Sequence, residues 1–314
     1  MSERQASPDP MRRLILAGAL AALLPGERAQ AAATPRPDSE ARRLLRAARR
    51  WGCQYQDIDL DAVAESDLDL IALEPSLDDW SMRFITPADM ERLKRKPDGS
   101  RRLVLGYLPV GEADIKRWYY TDDMRAEPPA WLGPENPNWP GSRHARYWDP
   151  SWRALMATGD DSLLRRILAV GFDGALLDRV DAYGDWREER PSGQNDMIDL
   201  VATIRDIASE RNPDFLLVPQ NAEDLLLSAR YRRLIDGLNK ESLLTGLSGP
   251  GVPNSEDDVD WSLKRLKKAQ SDGVAIFATE YVSDPASQRR LSDRLETYAF
   301  KPFFGVRELD VLPD

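Results

Sequence analysis

The 314-residue chain carries one cysteine, Cys53, and one histidine, His144. A lone cysteine excludes an internal disulfide and removes Cys-based metal clusters. A lone histidine excludes a zinc site built from two or three imidazoles. A Ser-His-Asp hydrolase would have to use His144, which stands in a loop rich in Pro, Gly and Arg with no nucleophile motif beside it. Basic residues are outnumbered, 43 Lys and Arg against 53 Asp and Glu, for a net charge of −10. They are spread along the chain, so no basic face is offered to nucleic acid. No glycine-rich phosphate loop follows the first expected strand, and no apolar run is long enough to cross a bilayer. With thiols and imidazoles so scarce, chemistry falls to the carboxylates.

The first 33 residues read as an export signal, cleaved or retained. Arg12 and Arg13 precede the apolar run Leu14–Leu24, and Ala29-Gln-Ala31 and Ala31-Ala-Ala33 offer small-residue cleavage sites. The twin arginines hint at the twin-arginine route, and Met11 is an alternative start. The competing reading is an Ala-rich leader without structure. A linker is expected over 34–45, with helical character from Glu40, and one folded domain over 46–314. The expected location is periplasmic or extracellular.

Beyond the linker, strand-like and helix-like segments alternate. Strands are expected at Gln54–Ile58, Asp67–Leu73, Leu103–Leu108, Ala175–Leu177, Phe215–Val218, Asp236–Asn239, Val274–Ala278 and Pro302–Val306. The helices between them carry stop and start signals: Thr86-Pro87 and Asp149-Pro150 as N-termini, Gly171 and Gly273 as ends. Alternation implies a parallel sheet with right-handed connections. Eight units predict an α/β protein of the closed (β/α)8 barrel type in a single domain. A doubly wound sheet is the alternative.

In such a fold the C-terminal strand ends open at one mouth. Strand by strand they carry Asp57 and Asp59; Glu74; Tyr107 and Glu112 in Gly106-Tyr-Leu-Pro-Val-Gly-Glu112; Asp178 and Asp181; Gln220 and Asn221; Glu241; and Glu280 beside Tyr281. Pairing with barrel cations such as Arg179 or Lys240 accounts for part of this acidic ring, not all of it. Two carboxylates facing one mouth suit glycoside hydrolysis, in which one is protonated and donates to the leaving oxygen. An acidic ring can instead hold Mg²⁺ or Ca²⁺. The long segment after the third strand holds Trp118, Trp131, Trp139, Trp148 and Trp152 among prolines and glycines. Their rings either stack on sugar, Trp148 among them, or form the segment's own small core.

Five motifs now stand in order: Gly106–Glu112, Tyr147-Trp-Asp149, Gly171-Phe-Asp-Gly-Ala-Leu-Leu-Asp178-Arg-Val-Asp181, Pro219-Gln-Asn221 and Asn239-Lys-Glu241. Together they resemble glycoside hydrolase family 114, the endo-α-1,4-polygalactosaminidase-like family, over the chain from about Trp51 onward. The resemblance implies a (β/α)8 barrel cleaving α-1,4-linked galactosamine-rich polysaccharide with retention. It implies Asp178 as nucleophile and Glu241 as general acid/base, with Glu112, Asp181, Gln220, Asn221 and Glu280 lining the substrate groove. Asp57, Glu74, Tyr107, Trp148 and Tyr281 join that groove by their places at strand ends and in the aromatic segment. Arg179 and Lys240 depart from the expected pattern and bear on substrate identity. The expected partner is a polysaccharide, met by a monomer without metal or cofactor. A carbohydrate-binding barrel without catalysis and a metal-dependent polysaccharide hydrolase or lyase are the competing functions.

Overall fold

The computed structural model describes residues 38–77 and 83–312. The expected export signal and the first residues of the expected linker lie outside them. The remaining linker does not hold: Ser39 caps a helix, α1 (Glu40–Ala47), by accepting from the Arg42 amide. Leu45 and Ala48 are buried in the same cluster as the first residues of the strands, so α1 packs on the sheet's N-terminal end. Arg42 fixes it there, 2.9 Å from Asp236, which Arg205 also reaches at 2.6 Å. This ion cluster is buried, where truncating one partner typically costs about 3–5 kcal/mol.

The chain then runs β1 (Trp51–Gln54), α2 (Leu60–Glu65), β2 (Leu70–Leu73), α3 (Pro87–Leu93) and β3 (Leu103–Pro109). A three-stranded antiparallel insert follows, ordered β4-β6-β5: β4 (Glu112–Asp114), β5 (Leu132–Glu135) and β6 (Ser142–Ala145), with α4 (Asp122–Ala126) between β4 and β5. After α5 (Pro150–Arg153) and α6 (Leu163–Val170) come β7 (Gly174–Asp178), α7 (Gly193–Arg211), β8 (Leu216–Pro219), α8 (Ala229–Leu234), β9 (Gly237–Glu241), α9 (Glu256–Ser271), β10 (Ala275–Glu280), α10 (Pro285–Thr297) and β11 (Lys301–Phe304). Local chemistry explains the punctuation. Thr86 and Asp89 form a capping box at α3, with Pro87 in its first turn. Gly171, at φ +94°, ends α6 in a left-handed conformation that suits glycine.

All residues of β1, β2 and β8 are buried, the mark of strands covered on both faces. The eight long-sheet strands are parallel and fall into two pieces, β1-β2-β3-β7-β8 and β9-β10-β11. A bridge between Gln220 and Asn239, and an Asp236 N–H to Leu217 carbonyl bond of 2.9 Å, tie β8 to β9. At the other seam no ladder joins β1 and β11 among the described residues. Both strands are four residues long, and Pro302 has no N–H to offer. Trp51 spans that seam instead, donating from Nε1 to the Lys301 carbonyl (3.0 Å) and packing edge-on against Phe303 and Phe277 at 5.4 and 4.9 Å. Trp51, Cys53, Leu70, Leu103, Leu176, Val218, Phe277 and Phe303 meet in one cluster, so the two pieces enclose a shared interior. The helices cover the outside through a second, larger core.

Two expectations shift. The first strand ends at Gln54, where its start was expected; Asp57 then turns the chain at φ +48° and Asp59 caps α2. The aromatic segment after β3 is not irregular: it holds a sheet, and Tyr119, Trp131, Tyr147 and Trp152 are its buried core.

Candidate active site

Asp178 is the last residue of β7, where the buried run Ala175–Leu177 stops. Three donors reach it. The Tyr107 hydroxyl donates to Oδ2 at 2.6 Å, and the Gln220 side-chain amide and the Arg179 backbone N–H donate to Oδ1 at 3.1 and 2.7 Å. Gln220 is itself oriented from behind. Thr279 Oγ1 donates to Asn239 Oδ1 at 3.0 Å, and Asn239 Nδ2 donates to Gln220 Oε1 at 3.0 Å. Thr279, Asn239 and Gln220 are all buried, so this relay runs through the sheet interior from β10 across to β7. Each amide can serve only one direction of hydrogen bonding along it.

Glu241 is the last residue of β9. Its Oε2 accepts from Asn221 Nδ2 at 2.9 Å, and its Oε1 accepts from the Tyr281 hydroxyl. Asn221 returns the contact, its Oδ1 accepting from the Glu241 backbone N–H at 3.0 Å. Asn221 and Ala222 both adopt positive φ (57° and 61°), a kink after β8 that swings the Asn221 side chain toward β9. Asn is among the residues that tolerate this region.

Burial, and then the charge of Asp178, push the Glu241 carboxyl above the usual carboxylate range. The two acids thus lie within each other's field at the same end of the sheet. Burial likewise raises Asp181 and Glu112, against the pull of Arg179. Arg179 follows Asp178 in a left-handed turn at φ +58°, and its side chain reaches back toward Glu112 (3.3 Å), Asp181 (3.7 Å) and Asp185. Burial works against its charge, yet Asp181, Asp185 and Glu112 outweigh that and hold it more firmly protonated. Gly111 is needed for this turn, because a Cβ there would sit 2.3 Å from the Arg179 carbonyl oxygen. Burial pushes the Cys53 thiol, in the sheet interior, up to about 12, which leaves it an inert core side chain.

The glycoside hydrolase family GH114 model matches residues 34–310, nearly the whole chain. This protein belongs to glycoside hydrolase family GH114. An uncharacterized protein of Deinococcus radiodurans is 31% identical over 85% of this chain and 83% of its own length. Another, from Methanocaldococcus jannaschii, is 28% identical over 80% of this chain and 71% of its own. Among solved structures, the glycoside hydrolase domain of PelA from Pseudomonas aeruginosa superposes with a TM-score of 0.64 at 23% identity, covering 85% of this chain and 98% of that domain. That likeness confirms the α/β fold with a parallel central sheet. GH114 membership makes the protein a glycosidase.

Within this GH114 chain, Tyr107, Asp178, Gln220, Asn221, Glu241 and Tyr281 come together as expected from sequence, with Glu112 and Asp181 beside them through Arg179. Four other expected groove residues do not. Asp57 is exposed beyond the end of β1, and Tyr55 takes the strand-end place, its ring 4.2 Å from that of Tyr107. Glu74 is buried and gives both oxygens to Arg117, at 3.0 and 2.7 Å, so it serves as a counter-ion anchoring the insert. Glu280 is 0% exposed and accepts from the Leu244 and Thr245 amides and the Thr245 hydroxyl, at 2.7, 3.1 and 2.7 Å. It braces the loop after β9 rather than lining a groove. Trp148 is half-buried and packs on the edge of the aromatic core, against Tyr147 and Trp186 at 5.1 and 5.6 Å. Sequence reasoning missed Tyr55, Arg117, Asn239 and Thr279. Thr279 carried a signal, as a polar residue after the apolar run of its strand. His144, 3.1 Å from Asp185, belongs to the Arg179 ion cluster. Among the described residues, no group of three or more His, Cys, Asp or Glu is arranged to hold a metal ion, and no helix is long and apolar enough to cross a membrane.

Proposed function

We propose that the protein hydrolyses an α-1,4-linked, galactosamine-type amino-sugar polysaccharide by a two-carboxylate, retaining mechanism. The observation that carries this reading is the placement of two carboxylates at neighbouring ends of one sheet, Asp178 on β7 and Glu241 on β9, each oriented by its own side-chain donors. Asp178, held by Tyr107, Gln220 and the Arg179 amide, is given the role of nucleophile. Burial and the charge of Asp178 push the Glu241 carboxyl up, against the hydrogen bonds from Tyr281 and Asn221, the direction that suits a general acid. Asp178 attacks the anomeric carbon while Glu241 gives its proton to the leaving oxygen. Glu241 then takes a proton from the water that releases the sugar from Asp178. The acidic surroundings, Asp181 and Glu112 among them, suit a substrate with free ammonium groups. The Arg12-Arg13 pair and the Leu14–Leu24 run support export, where such a polymer is met.

The test is release of reducing ends from amino-sugar polymers, with the product anomer followed by NMR. Retention of the α anomer is expected. Asp178→Asn and Glu241→Gln should each lower the rate by about 10²–10⁴-fold or more, the range for losing a positioned acid or base. Near wild-type turnover in either variant removes that residue from the mechanism, and a β product sinks retention.

A further inference from the structure

A cleft opens beside Glu241. It encloses about 380 Å³; its wall runs from Asp181 and Asn221 past Glu241 to Asp224, Trp261 and Arg307, and does not include Asp178. In a two-carboxylate glycosidase the acid faces the leaving group. A cleft walled by the acid and not by the nucleophile therefore lies on the leaving-group side. This step rests on the roles given to the two acids above.

Trp261 stands in the second turn of α9. Its neighbours Val259 and Leu266 are buried, whereas Trp261 is 42% exposed and Leu247, also in the cleft wall, 59% exposed. The ring is not loose. The Arg265 guanidinium lies 3.7 Å from its centroid and covers one face. Arg265 is held in turn by the Trp261 carbonyl at 3.0 Å and by Asp224 at 3.3 Å. A large aromatic side chain braced from behind and left open to a polar cleft contributes little to the core. It is already ordered, so a ligand that stacks on it loses little to side-chain entropy. Arg307 and Lys240 supply donors nearby, and Asp224 an acceptor. That mixture of one apolar platform with a few polar groups suits a sugar ring, whose C–H face stacks and whose rim of hydroxyls hydrogen-bonds.

We propose that Trp261 is the stacking platform of a leaving-group-side subsite, which holds a sugar residue of the polymer on the reducing-end side of the bond being cut. The subsite governs how well polymer is used and has no part in the bond chemistry.

The experiment compares wild type, Trp261→Ala and Trp261→Phe on two substrates. One is a polygalactosamine. The other is a galactosamine oligomer carrying an α-glycosyl fluoride, whose leaving group is too small to occupy the subsite. Trp261→Ala should lose at least about tenfold in kcat/KM on the polymer, the equivalent of 1.4 kcal/mol, mostly through KM. It should stay within about twofold of wild type on the glycosyl fluoride, with Trp261→Phe recovering much of the polymer activity. Equal losses on both substrates, or no loss on the polymer, overturn the subsite and leave the catalytic pair intact. A wild-type enzyme that cleaves neither substrate overturns the two-carboxylate reading, and the subsite falls with it.

Discussion

The Tyr107 hydroxyl donates to Oδ2 of Asp178 across 2.6 Å and so joins the C-terminal end of β3 to that of β7. A hydrogen bond to a charged partner is worth about 1.5–3 kcal/mol. Tyr107→Phe should therefore lower kcat by roughly 10–100-fold. Its ring stays packed against Tyr55, so the variant should remain folded, with the melting temperature lowered by only a few degrees. Steady-state kinetics alongside thermal denaturation check both halves.

The relay behind Gln220 makes a subtler prediction. Thr279→Val keeps the shape of the side chain but removes the donor that orients Asn239. Asn239 and Gln220 are then free to reverse, which would turn an amide oxygen toward Asp178. An unsatisfied buried polar group costs about 1–3 kcal/mol, so kcat should fall by about tenfold or more with KM nearly unchanged. Thr279→Ser, which restores the hydroxyl, should recover most of the loss. If Val and Ser behave alike, the relay does not orient the nucleophile.

Protonation of Glu241 gives the activity an alkaline limb. Its raised carboxyl must be neutral to act as an acid, so kcat/KM should decline as pH climbs through its elevated pKa. Because Asp178 is the second cause of the rise, after burial, Glu241 should titrate at lower pH in Asp178→Asn than in wild type, as read by carboxyl NMR. Stability follows the same sign. A carboxyl raised in the folded state binds its proton more tightly there than in the unfolded chain. Its contribution is full below the unfolded value and is lost as pH rises through the folded one. Glu241→Gln removes that loss, so it should gain stability relative to wild type as pH increases from about 4.5, the ordinary glutamate value.

Glu280 separates a structural acid from a functional one. Glu280→Ala leaves the Leu244 and Thr245 amides without an acceptor in a fully buried place. At about 1–3 kcal/mol for each unsatisfied group, the variant should lose roughly 2–6 kcal/mol in denaturant unfolding, and Glu280→Gln less. A substrate contact would behave in the opposite way, with KM changed and stability spared.

The parallel alternating fold was legible because its signals are local. Ala175-Leu-Leu177 reads as a strand covered on both faces, Thr86-Pro87 as a helix start and Gly171 as a helix stop, and each is so in the structure. The first strand was misplaced because Gly52 and Cys53 give weak strand signals, while Tyr55 and Ile58 beyond the turn give stronger ones. The helix α1 was split between linker and domain because only its contacts with Asp236 and the sheet interior make it part of the fold.

The sequence by itself determined that Glu74, Asp178, Glu241 and Glu280 stand at strand ends, since an apolar run that stops at a carboxylate is a one-dimensional pattern. Which of those acids are open to chemistry was decided by tertiary structure. Glu74 and Glu280 look like Asp178 and Glu241 in the sequence. They differ only because Arg117 and the loop after β9 fold back onto the first two, while Tyr107, Gln220, Asn221 and Tyr281 converge on the others. A partner that neutralises or exhausts a carboxylate comes from a distant part of the chain, 43 residues away for Glu74 and 35–36 for Glu280. No local pattern records such a distance; the packing of strands and loops around one sheet sets it.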